Sequence, residues 1–129
     1  MFDHWYALDI GGHSIRIIDI NKDTSWQARS VIAWKQNDVQ ACGVDAFPFI
    51  YQDQRVVSVK YPINHDQVLS PFAPLIKKGM KELKASNNIF HPHALVLIPS
   101  ESHMERLENW RTQINEAGIH RLDFVRVSD

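Results

Sequence analysis

The chain has 129 residues, of which 44% are hydrophobic and 22% are charged, and its formal net charge is -1. This length and composition are typical of one folded domain with its own core, and they exclude a disordered chain. The near-neutral charge disfavours a general nucleic-acid binder, which would carry a basic excess, so we expect no nucleic-acid partner.

The sequence contains no apolar run of the roughly 18 residues that are needed to span a bilayer. Its first residues also lack the basic start of a signal peptide. Cys42 is the only cysteine, which excludes an internal disulfide and a cysteine-based metal site. We therefore expect a cytoplasmic protein without a transmembrane segment.

Three strand-like runs open the chain: Tyr6–Ile10, Ser14–Ile20 and Arg29–Lys35. A Gly-Gly turn joins the first two runs and predicts a β-hairpin. A polar cluster at 21–25 predicts the turn that leads to the third run.

Two weaker strand patterns follow. Val39–Val44 predicts a short strand, and Arg55–Tyr61 predicts an edge strand that stops at Pro62. Residues 62–66 predict a loop.

A helix is predicted next, with Ser70 as its N-cap and Pro71 at its first position. Asn87 and Asn88 mark its end. Apolar residues at helical spacing predict one buried face: Phe72, Leu75, Ile76, Met80 and Leu83. The lysines of this helix lie off that face, as expected of a solvated surface; an acidic partner or a lipid surface is the less favoured interpretation.

The run Ala94–Ile98 is continuously apolar, which predicts a central strand buried on both faces. Ser102 and Glu105 match a capping box and predict the start of a second helix. Gly118 predicts its C-terminal cap, and Leu122–Val127 predicts a last strand. The apolar stripe of this helix is Met104, Leu107, Trp110, Ile114 and Ala117.

The element order is therefore an antiparallel meander, then helix, strand, helix and strand. This order predicts an α/β domain over 1–129: a mixed sheet with an N-terminal antiparallel meander and at least two packed helices, arranged as in ribonuclease-H-like folds.

The turn after the first strand is the candidate ligand site. N–H groups in a glycine turn can cradle an anion, and Asp9 stands where it could hold a hydrated cation. We predict that Asp9, Gly11, Gly12, His13 and Ser14 contact a phosphate group and that Asp9 binds magnesium through water. The alternative is an ordinary hairpin with an exposed aspartate, because short glycine motifs often have no function.

Three other kinds of site, a metal site, a hydrolase nucleophile and a nuclease centre, have weaker support in the sequence. His91 and His93 flank Pro92, but no cysteine or close carboxylate completes a metal site. Ser100 lacks the Gly-x-Ser-x-Gly context of a hydrolase nucleophile. A nuclease would need several carboxylates around two metals, for which Asp9, Glu101 and Asp129 are the candidates.

Five segments, in this order and spacing, resemble the actin-like ATPases and most closely the bacterial MreB rod-shape proteins. Asp9-Ile10-Gly11-Gly12 resembles the first phosphate hairpin of that superfamily. The second segment, Tyr61–Val68, resembles the stretch before the first long helix of the family. The third, Val96–Ser100, resembles a Val-x-Val-Pro-Ser strand end. The last two, Glu105-Arg106 and Glu116-Ala117-Gly118, resemble positions of the helix that follows in the family.

The resemblance implies one actin-like lobe over 1–129, with the second lobe absent, and a site for ATP and magnesium. The sequence departs from the family at two points. Gly12 stands in place of the usual threonine, and the acidic residue that follows the last strand of the family falls on Arg126-Val127-Ser128, so that Asp129 would substitute only after a shift. We therefore do not expect an autonomous ATPase.

Two functions follow from this resemblance. The first is a truncated or divergent MreB-like protein of cell-shape determination or of a bacterial filament system, with at most partial ATP binding. The second is a non-catalytic protein-interaction module of a membrane-associated assembly. Both imply a protein partner or self-association, because a lone lobe exposes the surface that would face its sister lobe.

Overall fold

The computed structural model describes residues 4–83 and 92–127. In chain order its elements are β1 (His4–Ile10), β2 (Ser14–Asp19), β3 (Thr24–Arg29), β4 (Ile32–Lys35), β5 (Asp38–Cys42), a 3₁₀ helix (Gly43–Tyr51), β6 (Ser58–Lys60), β7 (Ile63–Asn64), β8 (Gln67–Val68), α1 (Ala73–Glu82), β9 (Pro92–Pro99), α2 (Met104–Glu116) and β10 (Arg121–Val127).

The main sheet has five strands in the order β10-β9-β1-β2-β3. β1, β2 and β3 form an antiparallel meander, whereas β9 is parallel to both β1 and β10. A smaller sheet has the order β5-β4-β6, and β7 pairs with β8 in a hairpin. The predicted fold class, a mixed α/β sheet with an N-terminal antiparallel meander, is confirmed.

The third predicted strand, Arg29–Lys35, is wrong because the segment is divided between two sheets. β3 is the edge of the main sheet and begins at Thr24, inside the predicted turn. It is largely polar, which suits an exposed edge, and sequence patterns therefore missed it. The apolar run after it instead packs in a second small core, where Val31, Ala33, Ala46 and Val57 are buried.

The minor strands are also shorter than predicted. β5 ends at Cys42, where the 3₁₀ helix begins, and β6 covers only Ser58–Lys60, at the edge of the smaller sheet. The predicted loop at 62–66 is wrong in part, because Ile63–Asn64 pairs with Gln67–Val68.

Both helices pack on one face of the main sheet. The predicted buried residues of α1 and the central residues of the α2 stripe are confirmed as core, with Leu83 half-buried, but Met104 is 72% exposed and lies outside it. The core joins residues of β1 and β2 to both helices: Tyr6, Leu8, Ile15, Ile17, Leu75, Ile76, Leu107, Trp110 and Ile114. The predicted helix end at Asn87 and Asn88 lies outside the described residues.

The prediction that Ala94–Ile98 is buried on both faces is wrong. Ala94, Val96 and Ile98 are buried against the helices, whereas Leu95 and Leu97 point to the other face and are only half-buried. Among the described residues, no helix covers that second face.

Both predicted local N-caps are wrong. α1 begins after Phe72 and α2 after His103, and neither N-cap residue makes a side-chain cap hydrogen bond. Within the described chain, the hydroxyls of Ser70 and Ser102 are buried without a hydrogen-bond partner.

Distant side chains cap the two helices instead. For α1, Gln113 of α2 accepts hydrogen bonds at Oε1 from the N–H groups of Phe72 (3.0 Å) and Ala73 (3.1 Å). For α2, Asp66 of the β7–β8 turn accepts a hydrogen bond at Oδ2 from the N–H of His103 (3.1 Å). Each helix start is thus stabilised by tertiary structure.

Asp66 ties the β7–β8 hairpin to α2 through two further bonds. Its Oδ1 accepts a hydrogen bond from Arg106 Nη1, and its backbone carbonyl accepts one from Trp110 Nε1 at 2.8 Å. Burial alone would raise the pKa of Asp66, but the hydrogen bonds from His103 and Arg106 and the nearby positive charge outweigh it and lower the pKa.

The C-terminal end of α2 is as predicted. Gly118 has a φ of +97°, and its N–H donates to the carbonyl of Asn115 at 2.9 Å. The next residue, Ile119, donates to the carbonyl of Ile114 at 3.2 Å, which completes a Schellman motif. In the described residues, no helix is long and apolar enough to cross a membrane.

We predict that Gly79 is required for the close approach of α1 to β2 and β3. A Cβ at this position would lie 2.4 Å from a ring atom of Trp26 and 2.5 Å from Ile17 Cδ1. Gly79→Ala should therefore lower the free energy of unfolding by about 1 kcal/mol, although alanine favours the helix. Urea unfolding monitored by circular dichroism measures this change.

The control is a double-mutant cycle with Trp26→Ala, which removes the ring that meets the new methyl group. We expect a coupling free energy of about 1 kcal/mol between positions 79 and 26. Gly118→Ala should show no coupling to Trp26→Ala, because nothing lies within 4 Å of a Cβ built at Gly118. Equal coupling for both glycines would contradict this role of Gly79.

A second prediction concerns the Asp66 carboxylate. Asp66→Ala should lower the free energy of unfolding at pH 7 by about 2 kcal/mol, because the start of α2 and the guanidinium of Arg106 lose a charged acceptor. Asp45→Ala, which removes an exposed carboxylate on the 3₁₀ helix, should leave stability nearly unchanged. If the two variants are equally stable, Asp66 does not hold the hairpin on α2.

The lowered pKa of Asp66 also predicts a pH dependence. Its folded pKa lies below the unfolded value of about 3.9. The unfolded state therefore takes up the proton first as pH falls, and the stabilisation by Asp66 is lost below about pH 4. The stability difference between wild type and Asp66→Ala should be constant from about pH 5 to 7 and shrink below about pH 4; a difference that grows in acid would contradict the assignment.

Candidate functional site

A cleft of about 400 Å³ lies at the carboxyl ends of β1, β9 and β10. In an open α/β sheet, this edge is the usual place for a ligand. Its lining residues come from the ends of these strands, the turn after β1, the β7–β8 turn and the loop after β9: Asp9, Ile10, Gly11, His65, Leu97, Ile98, Pro99, Glu101 and Val127.

The Gly-Gly turn is a tight connection between β1 and β2. The N–H of Gly11 donates to the carbonyl of Ser14 at 3.0 Å, whereas the N–H groups of Gly12 and His13 donate to no other described residue. Neither Gly11 nor Gly12 has a positive φ, so the turn does not need glycine for its backbone angles. At Gly12, a Cβ would lie 3.0 Å from the carbonyl oxygen of Ile63, so a larger residue would require a shift of a few tenths of an ångström.

The predicted site residues divide into two groups. Asp9 and Gly11 line the cleft, and Asp9 is exposed. Gly12, His13 and Ser14 lie further along the turn and do not line it. The carbonyl of His13 accepts hydrogen bonds from the N–H of Ser30 (2.9 Å) and from Arg29 Nε (3.2 Å), which anchors the tip of the hairpin to the chain after β3.

Ser14 directs its hydroxyl towards β3. Its Oγ accepts a hydrogen bond from Gln27 Nε2 at 3.4 Å, on the neighbouring strand. This bond uses one acceptor site of the hydroxyl and leaves its hydrogen free to be donated.

A hydrogen-bonded pair, His65 and Glu101, also lines the cleft. His65 Nε2 lies 2.7 Å from Glu101 Oε1, and Ser100 donates its hydroxyl hydrogen to Glu101 Oε2 at 2.9 Å. The hydrogen bond from Ser100, a backbone hydrogen bond and the contact with His65 lower the pKa of Glu101. His65 has a φ of +58°, the left-handed conformation that its place in the tight β7–β8 turn requires.

Arg126 holds the loop that carries Glu101. Its Nη1 donates to the carbonyl oxygens of Ser100 (3.0 Å) and Ser102 (2.7 Å). Arg126 is the first of the three positions, 126–128, on which the resemblance places an acidic residue, and its guanidinium stabilises a loop.

The charges of the cleft determine which ligands it accepts. Asp9 and Glu101 both line it, and the imidazole of His65 lies beside Glu101. Two carboxylates repel a bare phosphate, so a phosphate ligand would need a bound divalent cation to neutralise them. Asp9 is the exposed carboxylate nearest the turn in sequence, and Glu101 is already held by His65 and Ser100.

The residues considered for a nucleophilic serine and for a metal site lie in surroundings that do not support those chemistries. Ser100 donates to a carboxylate and not to a histidine, so it lacks the base that a nucleophilic serine needs. His93 lies 3.0 Å from Asp123 Oδ2 and stacks on Trp5, while His91 and Asp129 lie outside the described residues. In the ranges 4–83 and 92–127, no group of three or more His, Cys, Asp or Glu side chains is arranged to hold a metal ion.

Sequence reasoning did not assign His65 and Glu101 to one site. They are 36 positions apart and meet only because Asp66 holds the β7–β8 turn on α2. The available signal was the resemblance of Tyr61–Val68 to a family segment, which marks the hairpin but not the role of His65.

No protein-family model matches the sequence, and no curated protein sequence is detectably similar to it. Solved structures do match the fold. MreB5 of Spiroplasma citri bound to ADP superposes with a TM-score of 0.80 at 15% identity, over 96% of this chain and 38% of that chain. The same protein bound to AMPPNP gives a TM-score of 0.74 at 14% identity, over 98% of this chain and 39% of that chain.

A MamK double helical filament also matches, with a TM-score of 0.66 at 12% identity, over 97% of this chain and 41% of that chain. This chain therefore spans about two-fifths of the length of the proteins that it matches. At these identities the likeness concerns the fold, and over that part of their length the chain has the MreB-like actin fold.

Proposed function

We propose that the chain is a divergent MreB-like actin lobe that binds the phosphate end of ATP, with magnesium, at the cleft lined by Gly11 and the His65–Glu101 pair. The observation that supports this most is the position of the cleft. It lies at the carboxyl ends of β1, β9 and β10, beside the Gly-Gly turn, in a chain that shares its fold with proteins solved with ADP and AMPPNP.

The residues present suit a magnesium–phosphate group. Asp9 supplies an exposed carboxylate, and the N–H groups of Gly12 and His13 have no acceptor among the described residues. Carboxylate oxygens and water are the ligands that magnesium prefers. When bound, the magnesium ion would neutralise the charge between the phosphate oxygens and Asp9.

The volume of the cleft limits how much of a nucleotide it can enclose. A volume of about 400 Å³ is at the lower end of the range for small-molecule sites, roughly 300–1,000 Å³. We infer that this lobe holds the phosphates and that a second surface would be needed to enclose the rest of the nucleotide. We propose that residues 1–129 by themselves bind the nucleotide only in part.

The same residues disfavour hydrolysis by this chain alone. A nucleotide hydrolase needs a group that orients the attacking water. The acidic residue of the family falls on 126–128, where Arg126 is bonded to Ser100 and Ser102, while Glu101 is held by His65 and Ser100. In this proposal Asp9 and Gly11 bind the ligand within the cleft, Gly12, His13 and Ser14 bind it from the turn beside the cleft, and none of them has a catalytic role.

The wider role that we propose is in cell-shape determination or a bacterial filament system, in the cytoplasm. The alternative is a non-catalytic interaction module of a membrane-associated assembly that keeps the actin-like lobe. The favouring observation is apolar exposure, which includes Tyr51 at 93% and Val44 at 63% on the 3₁₀ helix. Both roles imply a protein partner and neither implies a nucleic acid.

Thermal unfolding with nucleotide tests the proposed site. ATP at millimolar concentration with excess magnesium should raise the melting temperature by a few degrees, because a ligand that binds only the folded state stabilises it. ATP with EDTA should give no increase, because Asp9 and Glu101 then repel the phosphates. Asp9→Ala should abolish the shift.

Asp38→Ala is the matched control, because Asp38 is an exposed aspartate on β5 and does not line the cleft. It should keep the full shift. No shift in wild type would overturn nucleotide binding and favour the interaction module, and an equal shift in Asp9→Ala would place the nucleotide elsewhere.

A further inference from the structure

The Gly-Gly turn is anchored at one peptide group, the one between His13 and Ser14. The carbonyl oxygen of His13 accepts two hydrogen bonds, from the N–H of Ser30 at 2.9 Å and from Arg29 Nε at 3.2 Å. A carbonyl oxygen has two lone pairs, so these two donors use its whole capacity as an acceptor. The tip of the hairpin is therefore tied through a single atom to the end of β3 and the residue after it.

This anchor fixes the direction of the peptide group. In a trans peptide the carbonyl and the N–H point in opposite directions, and none of the described peptide bonds is cis. The His13 carbonyl points to β3, and β2 lies between β3 and β1. The N–H of Ser14 therefore points to the β1 side, where Gly11 lines the cleft. The carbonyl oxygen, which would repel a phosphate, is held on the far side.

The 3₁₀ helix holds Arg29 in place. The Cζ atom of Arg29 lies 5.1 Å from the centroid of the Phe47 ring, which is a cation–π contact. Phe47 packs against the second small core, which contains Ala46 and Val57. A continuous series of contacts thus runs from that core, through the half-buried arginine, to the carbonyl of His13.

The charge of Arg29 adds to the effect of the geometry. A hydrogen bond from a charged donor is roughly twice as strong as one between neutral groups. The guanidinium also brings a positive charge to the turn, in a site whose cleft carries the carboxylates of Asp9 and Glu101. This charge favours a phosphate beside the turn.

We propose that Arg29 is the positioning residue of the phosphate turn. It holds the His13–Ser14 peptide group in the orientation that presents an N–H, and not a carbonyl oxygen, to the phosphate, and Phe47 fixes Arg29 in that place. The proposal rests on the proposed function, which supplies the phosphate ligand. Arg29 acts through the carbonyl of His13 and does not itself touch the ligand.

Amide hydrogen exchange, measured by NMR without nucleotide, tests the anchor. Arg29→Met keeps the length of the side chain and removes the donor and the charge. The N–H of Ser30, which donates to the same carbonyl, and the N–H of Gly11, which closes the turn, should exchange at least about fivefold faster than in wild type. The N–H of Gly118, which is bonded to Asn115 at the end of α2, should keep its wild-type rate.

Calorimetric titration with ATP and excess magnesium tests the effect on the ligand. Arg29→Met should raise the dissociation constant about tenfold, and Arg29→Lys, which keeps a charged donor, should restore most of the affinity. Arg111→Met is the matched control, because Arg111 also lies over an aromatic ring, that of Phe124 at 5.3 Å, and does not line the cleft. It should leave both the affinity and the exchange rates unchanged.

A double-mutant cycle tests the contact with Phe47. Phe47→Leu removes the ring and keeps an apolar side chain, and it should weaken ATP binding about threefold. The same substitution should have no further effect in Arg29→Met, because the ring acts on the turn only through the arginine. Equal effects in both backgrounds would overturn the proposal that Phe47 acts through Arg29. If circular dichroism shows that Arg29→Met is unfolded, the exchange rates of Gly11 and Ser30 in Phe47→Leu decide in its place.

The two measurements separate this proposal from the proposed function. Unchanged exchange at Gly11 and Ser30 in Arg29→Met would overturn the positioning role whether or not ATP binds. Faster exchange with unchanged ATP affinity would overturn it too, since the anchor would then not affect the ligand. A wild-type chain that binds no ATP would contradict the proposed function instead, and the exchange rates alone would then decide whether Arg29 positions the turn.

Discussion

The attachment of the β7–β8 hairpin to α2 through Asp66 is the constraint on which the rest of the site depends. One buried carboxylate accepts hydrogen bonds from His103 and Arg106, and the carbonyl of the same residue accepts the indole N–H of Trp110. These bonds cap a helix that has no local cap and fix the turn next to it. Because His65 immediately precedes Asp66, the same bonds place its imidazole beside Glu101, and both side chains line the cleft.

The cleft therefore combines a local element with a long-range one. The Gly-Gly turn follows directly from β1, and the carbonyl of Ile63 lies close enough to Gly12 that a Cβ there would make a tight contact. The part lined by His65 and Glu101 needs the hairpin, the loop after β9 and Arg126 to be in place together. Asp9 and Gly11 thus line one part of the cleft, and Arg126 holds the loop that carries Glu101 in another.

Sequence patterns performed well where burial follows a simple period. The faces of both helices, the hairpin of β1 and β2 and the Gly118 cap were predictable, because each depends on residues within one or two turns of chain. They failed for β3, which is polar, and for the two N-caps, because Gln113 and Asp66 cap from 41 and 37 positions away. They also failed for β9, since an apolar run does not show which of its faces is covered.

By itself, the sequence determined the class of fold, the order of most elements and the candidate phosphate turn at Asp9–Ser14. These features depend on local conformational preference and on apolar periodicity, which are written in neighbouring residues. Only the tertiary structure decided that His65 and Glu101 share the cleft, that Ser14 and Arg126 are bonded within the fold, and that both described helices pack on the same face of the sheet. The physical reason is that hydrogen bonds and burial between distant segments depend on how the helices pack, and no local pattern records that packing.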